Sequence, residues 1–306
     1  MGGGEERAAV DAGAYPPVMR LHLLDGTYEL FRSYFGAPPR SAPDGMEVGA
    51  VHGIMSSTLA LAEEGVTHLG VAFDTVIRSF RNDLYDGYKS EAGVPENLLD
   101  QFPIAEEGLE AMGVTVWRMV EYEADDALAS AVDRFGSEFE QIVIMSPDKD
   151  LTQCVVGDRV VGFDRRKGAF IDEAGVIEKF GVPPASIPDY LGLVGDSSDG
   201  FPGVPGWGAK SASLVLAEYR HIERIPLEAR LWTTQVRGAE RLVGALREHM
   251  ADALLFRFLA MLRRDVPLPE RSVDELRWRG VSRGAFEEFC ERYGFGSLAA
   301  RPKVWG

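Results

Sequence analysis

Histidine and cysteine are scarce in this chain, and where they occur they keep apart from its acids. The five histidines, His22, His52, His68, His221 and His249, are scattered along 306 residues and form no cluster. Zinc is held by imidazole and thiolate, so their scarcity argues against a zinc centre. Two cysteines, Cys154 and Cys290, give no disulfide framework, and a reduced, cytoplasmic setting is the expectation. No apolar stretch approaches the ~20 residues that span a bilayer, so no membrane partner is expected. The opening MGGGEERAAVDAGAYPPVM, residues 1–19, carries acids and no hydrophobic segment; it reads as a disordered leader, not a secretory signal. Beyond it there is no low-complexity tract and no internal repeat. Cations are also short: 32 Lys and Arg face 48 Asp and Glu, a net charge of −16 that weighs against tight, nonspecific nucleic-acid binding.

What is present is an ordinary globular composition, 45% hydrophobic and 26% charged, long enough for two modest domains. Three short apolar runs end in aspartate: Leu21 to Asp25, Leu69 to Asp74, and Ile142 to Asp148. Runs of this length bounded by polar residues predict strands buried on both faces of a parallel sheet, whose ligand site lies at the carboxyl ends. Strand signals alternate with helical periodicity from Arg20 to about Gly181, with helices expected over 48–64 and 97–112 and a further strand over 114–117. More acids reach the same rim: Glu123-Ala124-Asp125-Asp126 opens a helix, Asp150 follows Asp148, and Asp196 and Asp199 sit in a glycine-rich loop. The nine are Asp25, Asp74, Glu123, Asp125, Asp126, Asp148, Asp150, Asp196 and Asp199. Like charges gathered on one rim repel unless cations hold them, and an all-oxygen set suits magnesium or manganese. Setting these nine aside takes the balance from −16 to −7, so much of the acidity is the site itself.

Between the second and third strands, residues 79–95 are irregular, aromatic and locally basic, with Phe80, Arg81, Tyr85, Tyr88 and Lys89; they should overhang the acidic rim. After Gly181 the strand signals stop. Helices are expected over 189–194, 209–219, 238–263 and 273–291. Between the first two lies Gly200-Phe201-Pro202-Gly203-Val204-Pro205-Gly206-Trp207-Gly208-Ala209-Lys210, a glycine loop whose backbone N–H groups and following helix N-terminus suit a phosphate.

The segments LLDGTYELFRSYF, FDTVIRSFRNDLYDGYK, YEADDALAS, SPDKDLTQ and GDSSDGFPGVPGWGAKSA, in this order, resemble the 5′-nuclease domain of bacterial DNA polymerase I and the flap endonucleases. The resemblance runs from about Arg20 to Leu298, and with no polymerase following, the chain looks like a free-standing 5′-3′ exonuclease/flap endonuclease. It implies an α/β fold: a parallel-sheet, PIN-like 5′-nuclease core over 20–181, with an arch at about 79–95. A C-terminal helical DNA-binding subdomain carrying a helix–hairpin–helix would occupy 182–300. By position, Asp25, Asp74, Glu123 and Asp125 would hold a first metal. Asp125, Asp148, Asp150 and Asp199 would hold or flank a second, with Asp126 and Asp196 in support. The resemblance makes Lys89 the arch lysine on the scissile phosphate and Arg81 the basic residue beginning the arch. Phe31 would stack on a base near the cut, with Arg32 beside it and Tyr88 next to the arch lysine. Gly203, Gly206, Gly208 and Lys210 would grip the duplex. The cofactors implied are two or more Mg2+, with Mn2+ able to substitute and K+ admissible at the hairpin. The implied partner is DNA with 5′ flaps or 5′ ends, RNA-primed ends included, met by a monomer in primer removal and DNA repair.

Two departures stand out: Ala92 occupies the place of an arginine common in bacterial relatives, and Pro205 that of a hairpin lysine. Plainer readings exist for each residue alone. A strand-ending aspartate is most often a cap, an acidic first helical turn answers the helix dipole, Phe31 could be core, and Lys89 a solvated charge. Nine acids at the expected places cannot all be caps. A phosphatase reading of Asp25-Gly26-Thr27 needs a nucleophilic carboxylate two places earlier, where Leu23 stands. A noncatalytic binder of branched DNA would have no use for a complete carboxylate set that is costly to bury.

Overall fold

The computed structural model describes residues 19–306, so all of the expected leader except Met19 lies outside the described residues. Six strands form one sheet in the order β3-β2-β1-β4-β5-β6. They are β1 (Arg20–Asp25), β2 (His68–Asp74), β3 (Thr115–Met119), β4 (Gln141–Met145), β5 (Val160–Asp164) and β6 (Ala169–Ile171). The first five are parallel, and β6 turns back antiparallel on β5 as an edge hairpin. The sequence order reverses between β1 and β4, and in an open α/β sheet such a reversal leaves a crevice at the strand carboxyl ends.

The central strands are buried on both faces, which is why they read as continuous apolar runs rather than alternating ones. Leu24, Val71, Phe73, Val143 and Met145 face one layer, formed by α1 (Gly26–Gly36), α2 (Gly49–Glu63) and α4 (Gln101–Ala111). A four-residue helix, α3 (Glu96–Leu99), precedes α4, and the single helix expected over 97–112 is broken at Asp100. Leu21, Leu23, Ala72, Ile142 and Ile144 face the other layer, formed by α5 (Ala124–Phe135). Trp117 lies so close over Gly70 that a Cβ there would come within 2.4 Å of its ring.

A second body follows α6 (Glu173–Phe180): α7 (Ile187–Val194), α8 (Ala209–Tyr219), α9 (Ala239–Glu248) and α10 (Met250–Ala260) surround their own core, with Phe201, Trp207 and Phe256 inside. The expected helix over 238–263 is two helices meeting at His249. Over 273–291 the structure has a short 3-10 turn (Val273–Leu276) and then α11 (Arg283–Tyr293), closed by α12 (Gly296–Ala299). The chain after α10 does not stay with the helical body. Leu262, Val266 and Leu268 pack beside α5, while Phe286, Phe289, Phe295 and Leu298 pack on the α2–α4 layer. By packing, the helical body ends near residue 260, and residues 261–306 brace both faces of the α/β core.

Candidate active site

Each acid is delivered by a strand end or a helix start. Asp25 closes β1 and caps α1: its Oδ1 accepts the Tyr28 N–H at 2.8 Å and its Oδ2 the Ser146 hydroxyl at 2.8 Å. Asp74 closes β2, where its Oδ1 accepts the Ala124 N–H at 2.7 Å, the first amide of α5. Glu123 is the N-cap of α5; it accepts from the Ser79 hydroxyl at 2.6 Å and pairs with the Lys89 ammonium at 2.7 Å. Asp125 has no hydrogen-bond or ion-pair partner among those of the described residues. Asp148 lies just beyond β4, its Oδ1 accepting the Asp150 N–H at 2.8 Å.

These groups meet in one cavity of about 750 Å3 at the β1–β4 crevice, lined by Asp25, Asp74, Glu123, Asp125, Asp148 and Asp199 together with Phe31 and Lys89. Against it, oxygens of Asp150, Asp196 and Asp199 lie within 4.8 Å of one another, and Oδ1 of Asp150 is buried with no hydrogen-bond partner. Desolvation dominates the electrostatics. Burial, with Asp74 and Asp148 nearby, pushes the Asp25 carboxyl up to about 7, and burial raises Asp74, Asp125, Asp150 and Asp199 as well. Glu123 is the exception: burial opposes its charge, but Lys89 and then Arg81 outweigh it and hold the carboxyl down at about 2. Hard oxygen donors, mutual repulsion and an unsatisfied buried oxygen suit divalent cations of the magnesium and manganese kind.

The sequence pattern that defines the 5′-3′ exonuclease N-terminal resolvase-like domain matches residues 20–181, and that of the 5′-3′ exonuclease C-terminal SAM fold matches 182–283. The chain belongs to the 5′-3′ exonuclease family. It is 36% identical over 207 residues to a 5′-3′ exonuclease of Aquifex aeolicus, covering 67% of this chain and 71% of that one. It is 34% identical to DNA polymerase I of Bacillus caldotenax over 91% of its own length but 32% of the polymerase. The chain thus spans about a third of the length of the polymerases it matches. In fold it is similar to the bacteriophage T5 D15 flap endonuclease in a complex with DNA and metal ions. The TM-score is 0.64 at 18% identity, over 92% of this chain and 100% of that one.

Not every residue expected at a 5′-3′ exonuclease site reaches this cavity. Arg81 is 1% exposed: its guanidinium grips both oxygens of Asp126 at 2.7 Å and donates to the carbonyls of Leu259 and Met261. Asp126 also accepts the Glu123 and Arg263 N–H groups. This pair is therefore a buried clamp between arch and helical body, not a phosphate contact and a metal ligand. Asp196 closes a tight loop, Asp196 and Phe201 exchanging backbone hydrogen bonds, and pairs with Lys149 at 2.5 Å. Tyr88 is buried with its hydroxyl donating to Glu123, so it supports the site instead of meeting DNA. Arg32 is pinned to buried Glu29, which also holds Arg165 of the β5–β6 turn at 2.9 Å. Phe31 lines the cavity and leans edge-on against Phe102.

The hairpin glycines divide in the same way. Gly203, at φ +72°, abuts the backbone of Val194 and Gly195, so its missing side chain serves internal packing. Gly206 and Gly208 meet no backbone, and Lys210 is exposed beside them at the start of α8. The arch itself does not overhang freely. The Lys89 N–H donates to the Asp199 carbonyl at 3.0 Å, and the Gly200 backbone presses against that of Gly87. Thr27, Tyr28, Lys149 and Lys179 also line the cavity, and the Ser146 hydroxyl donates to Asp25, although the sequence marks none of them. Lys149 and Ser146 were visible only as neighbours of the acids, and Lys179 carried no signal at all.

Proposed function

We propose that this chain is a divalent-metal-dependent, structure-specific 5′ nuclease that hydrolyses phosphodiester bonds in DNA bearing 5′ ends or 5′ flaps, leaving 5′-phosphate and 3′-hydroxyl. The observation that carries the reading is the meeting of six carboxylates, Lys89 and Phe31 in one cavity at the sheet's switch point. Asp25, Asp74, Glu123 and Asp125 would hold one ion, and Asp125, Asp148, Asp150 and Asp199 a second. Mg2+ is the expected ion, with Mn2+ able to replace it. Bound there, the ions would supply Lewis acidity at the scissile phosphate and favour an ionised attacking water.

The protein's own groups do the positioning. Lys89, with its ammonium at 2.7 Å from Glu123 and 3.5 Å from Asp199, stands at the cavity wall where charge builds on the phosphate. The Phe31 ring offers a face to an unpaired base at the cut, since end nucleotides must leave the duplex to reach the acids. Gly206, Gly208, Lys210 and the N-terminus of α8 would hold the duplex backbone without reading bases. Such a nuclease fits primer removal and DNA repair. The deciding experiment is cleavage of a 5′-flap duplex with and without magnesium: metal-dependent release of the flap supports the reading, and an intact substrate over a wide range of enzyme refutes it.

A further inference from the structure

Lys149 comes between two of the site's acids, yet its ammonium turns towards a third. It lies 2.5 Å from Oδ2 of Asp196 and 4.0 Å from Oδ1 of Asp150. Both belong to the trio of Asp150, Asp196 and Asp199, and Oδ1 of Asp150 is the buried oxygen without a hydrogen-bond partner. Three carboxylates within 4.8 Å of one another demand a neutralising charge, and Lys149 supplies one. Its side chain is 32% exposed, against 1% for Arg81, so its head can leave for solvent without dismantling the core.

We propose that Lys149 is an internal competitor for the cation site of Asp150, Asp196 and Asp199. Its ammonium holds these acids together in the metal-free protein and withdraws when a divalent ion enters. This rests on the metal-dependent reading above and adds to it: the lysine keeps the apo site assembled and weakens ion binding there. Lys179 is the natural control: it lines the same cavity as Lys149, but among the described residues its ammonium lies over the Phe180 ring and in no ion pair.

The test is calorimetric titration of the whole chain with Mn2+ in the absence of DNA, together with thermal melts in EDTA, for wild type, Lys149→Met and Lys179→Met. Lys149→Met should tighten the weaker Mn2+ site roughly fivefold, the scale of a partly exposed ion pair, and lower the melting temperature in EDTA. Lys179→Met should leave both near wild type, and Lys149→Arg should keep the weak affinity in a folded protein. Unchanged or weaker Mn2+ binding by Lys149→Met would overturn the proposal, as would equal tightening by both Met variants, which would reveal a general field effect. Wild type that binds Mn2+ but cuts no flap duplex would refute the nuclease reading alone. Wild type that cuts DNA while Lys149→Met binds Mn2+ no better would refute the competition alone.

Discussion

Asp25 is a helix cap and a site acid at once. Its Oδ1 satisfies the Tyr28 amide that α1 would otherwise leave bare, and this bond orients the carboxylate over the crevice. The structural role of such a residue and its proposed functional role coincide; Glu123 at the N-cap position of α5 differs, its side chain being held by Ser79, Tyr88 and Lys89. Acids at strand ends and helix starts stand out in a sequence for that reason, as candidates. Arg81 does not, because a sequence shows a cation's position in the chain but not which buried carboxylate captures it. The distinction gives two predictions. Asp125→Asn or Asp148→Asn should abolish magnesium-dependent cleavage while flap binding, followed in calcium by anisotropy, stays within a few-fold of wild type. Near-normal turnover in either variant would remove these residues from the ligand set. Lys89→Ala should lower kcat roughly a hundredfold with little change in duplex affinity or fold. Arg81→Ala should instead cost about 3–5 kcal/mol of stability in denaturant unfolding, because it strands Asp126 as a buried, unpaired charge. Equal losses of stability in both variants would contradict the assignment. The raised acids also set a pH trend. A carboxyl held at about 7 in the fold keeps its proton longer than in the unfolded chain, so Asp25 stabilises the metal-free protein fully below its ordinary 3.8 and loses that contribution as pH rises towards 7. Glu123, held at about 2, acts oppositely, its contribution being lost only as pH falls below its ordinary 4.5. In EDTA the melting temperature should therefore fall from about pH 5 to about pH 8, and magnesium should flatten the slope; a rise over that interval would show that the acids are not desolvated as described.

Among the elements, the parallel strands were readable because double burial leaves an unbroken apolar run, and α8 was readable because a glycine loop marks its start. The region over 238–263 has the periodicity of one helix but folds as two. Leu242 and Leu246 on α9 and Phe256 on α10 bury into the same core, so the apolar periodicity runs across the break at His249. The return of α11 to the α/β layer had no sequence signal either, since an amphipathic stripe does not name the surface it covers. The arch shows how one element sets another's geometry. Gly200 sits at φ +86°, and a Cβ there would come within 2.1 Å of the Gly87 carbonyl oxygen. That contact lies two residues from Lys89, whose own amide is tied to Asp199. Gly200→Ala should push the arch off the loop and withdraw the lysine from the acids. The expected result is a kcat at least tenfold lower, with duplex affinity nearly unchanged because the hairpin face of Gly206 and Gly208 is untouched. Steady-state kinetics on a flap substrate checks this, and a wild-type kcat would mean that arch and loop move independently.

If the proposed nuclease reading holds, the question for the whole molecule is how a chain of net charge −16 approaches a polyanion. Eight acids gather at the crevice, where bound divalent ions would offset them, and the rest of the chain stays acidic. At the hairpin the lysine replaced by Pro205 has a neighbour: the guanidinium carbon of Arg241 lies 3.7 Å from where a Cβ on Gly206 would stand. Helix α9 thus brings a cation to the hairpin face from another part of the chain. Ala92, the other departure, is exposed on the segment following Lys89. Each phosphate neutralised contributes close to one unit to the slope of log affinity against log salt, so binding should be weak and its salt dependence shallow. Ala92→Arg should then steepen the slope by about one unit and tighten flap binding at low salt, while leaving kcat at saturation unchanged. Titrating a 5′-flap duplex with wild type and variant in calcium, across a range of salt, measures the slope directly. An unchanged slope would place residue 92 away from the DNA, and the arch would then carry no phosphate contact at that position.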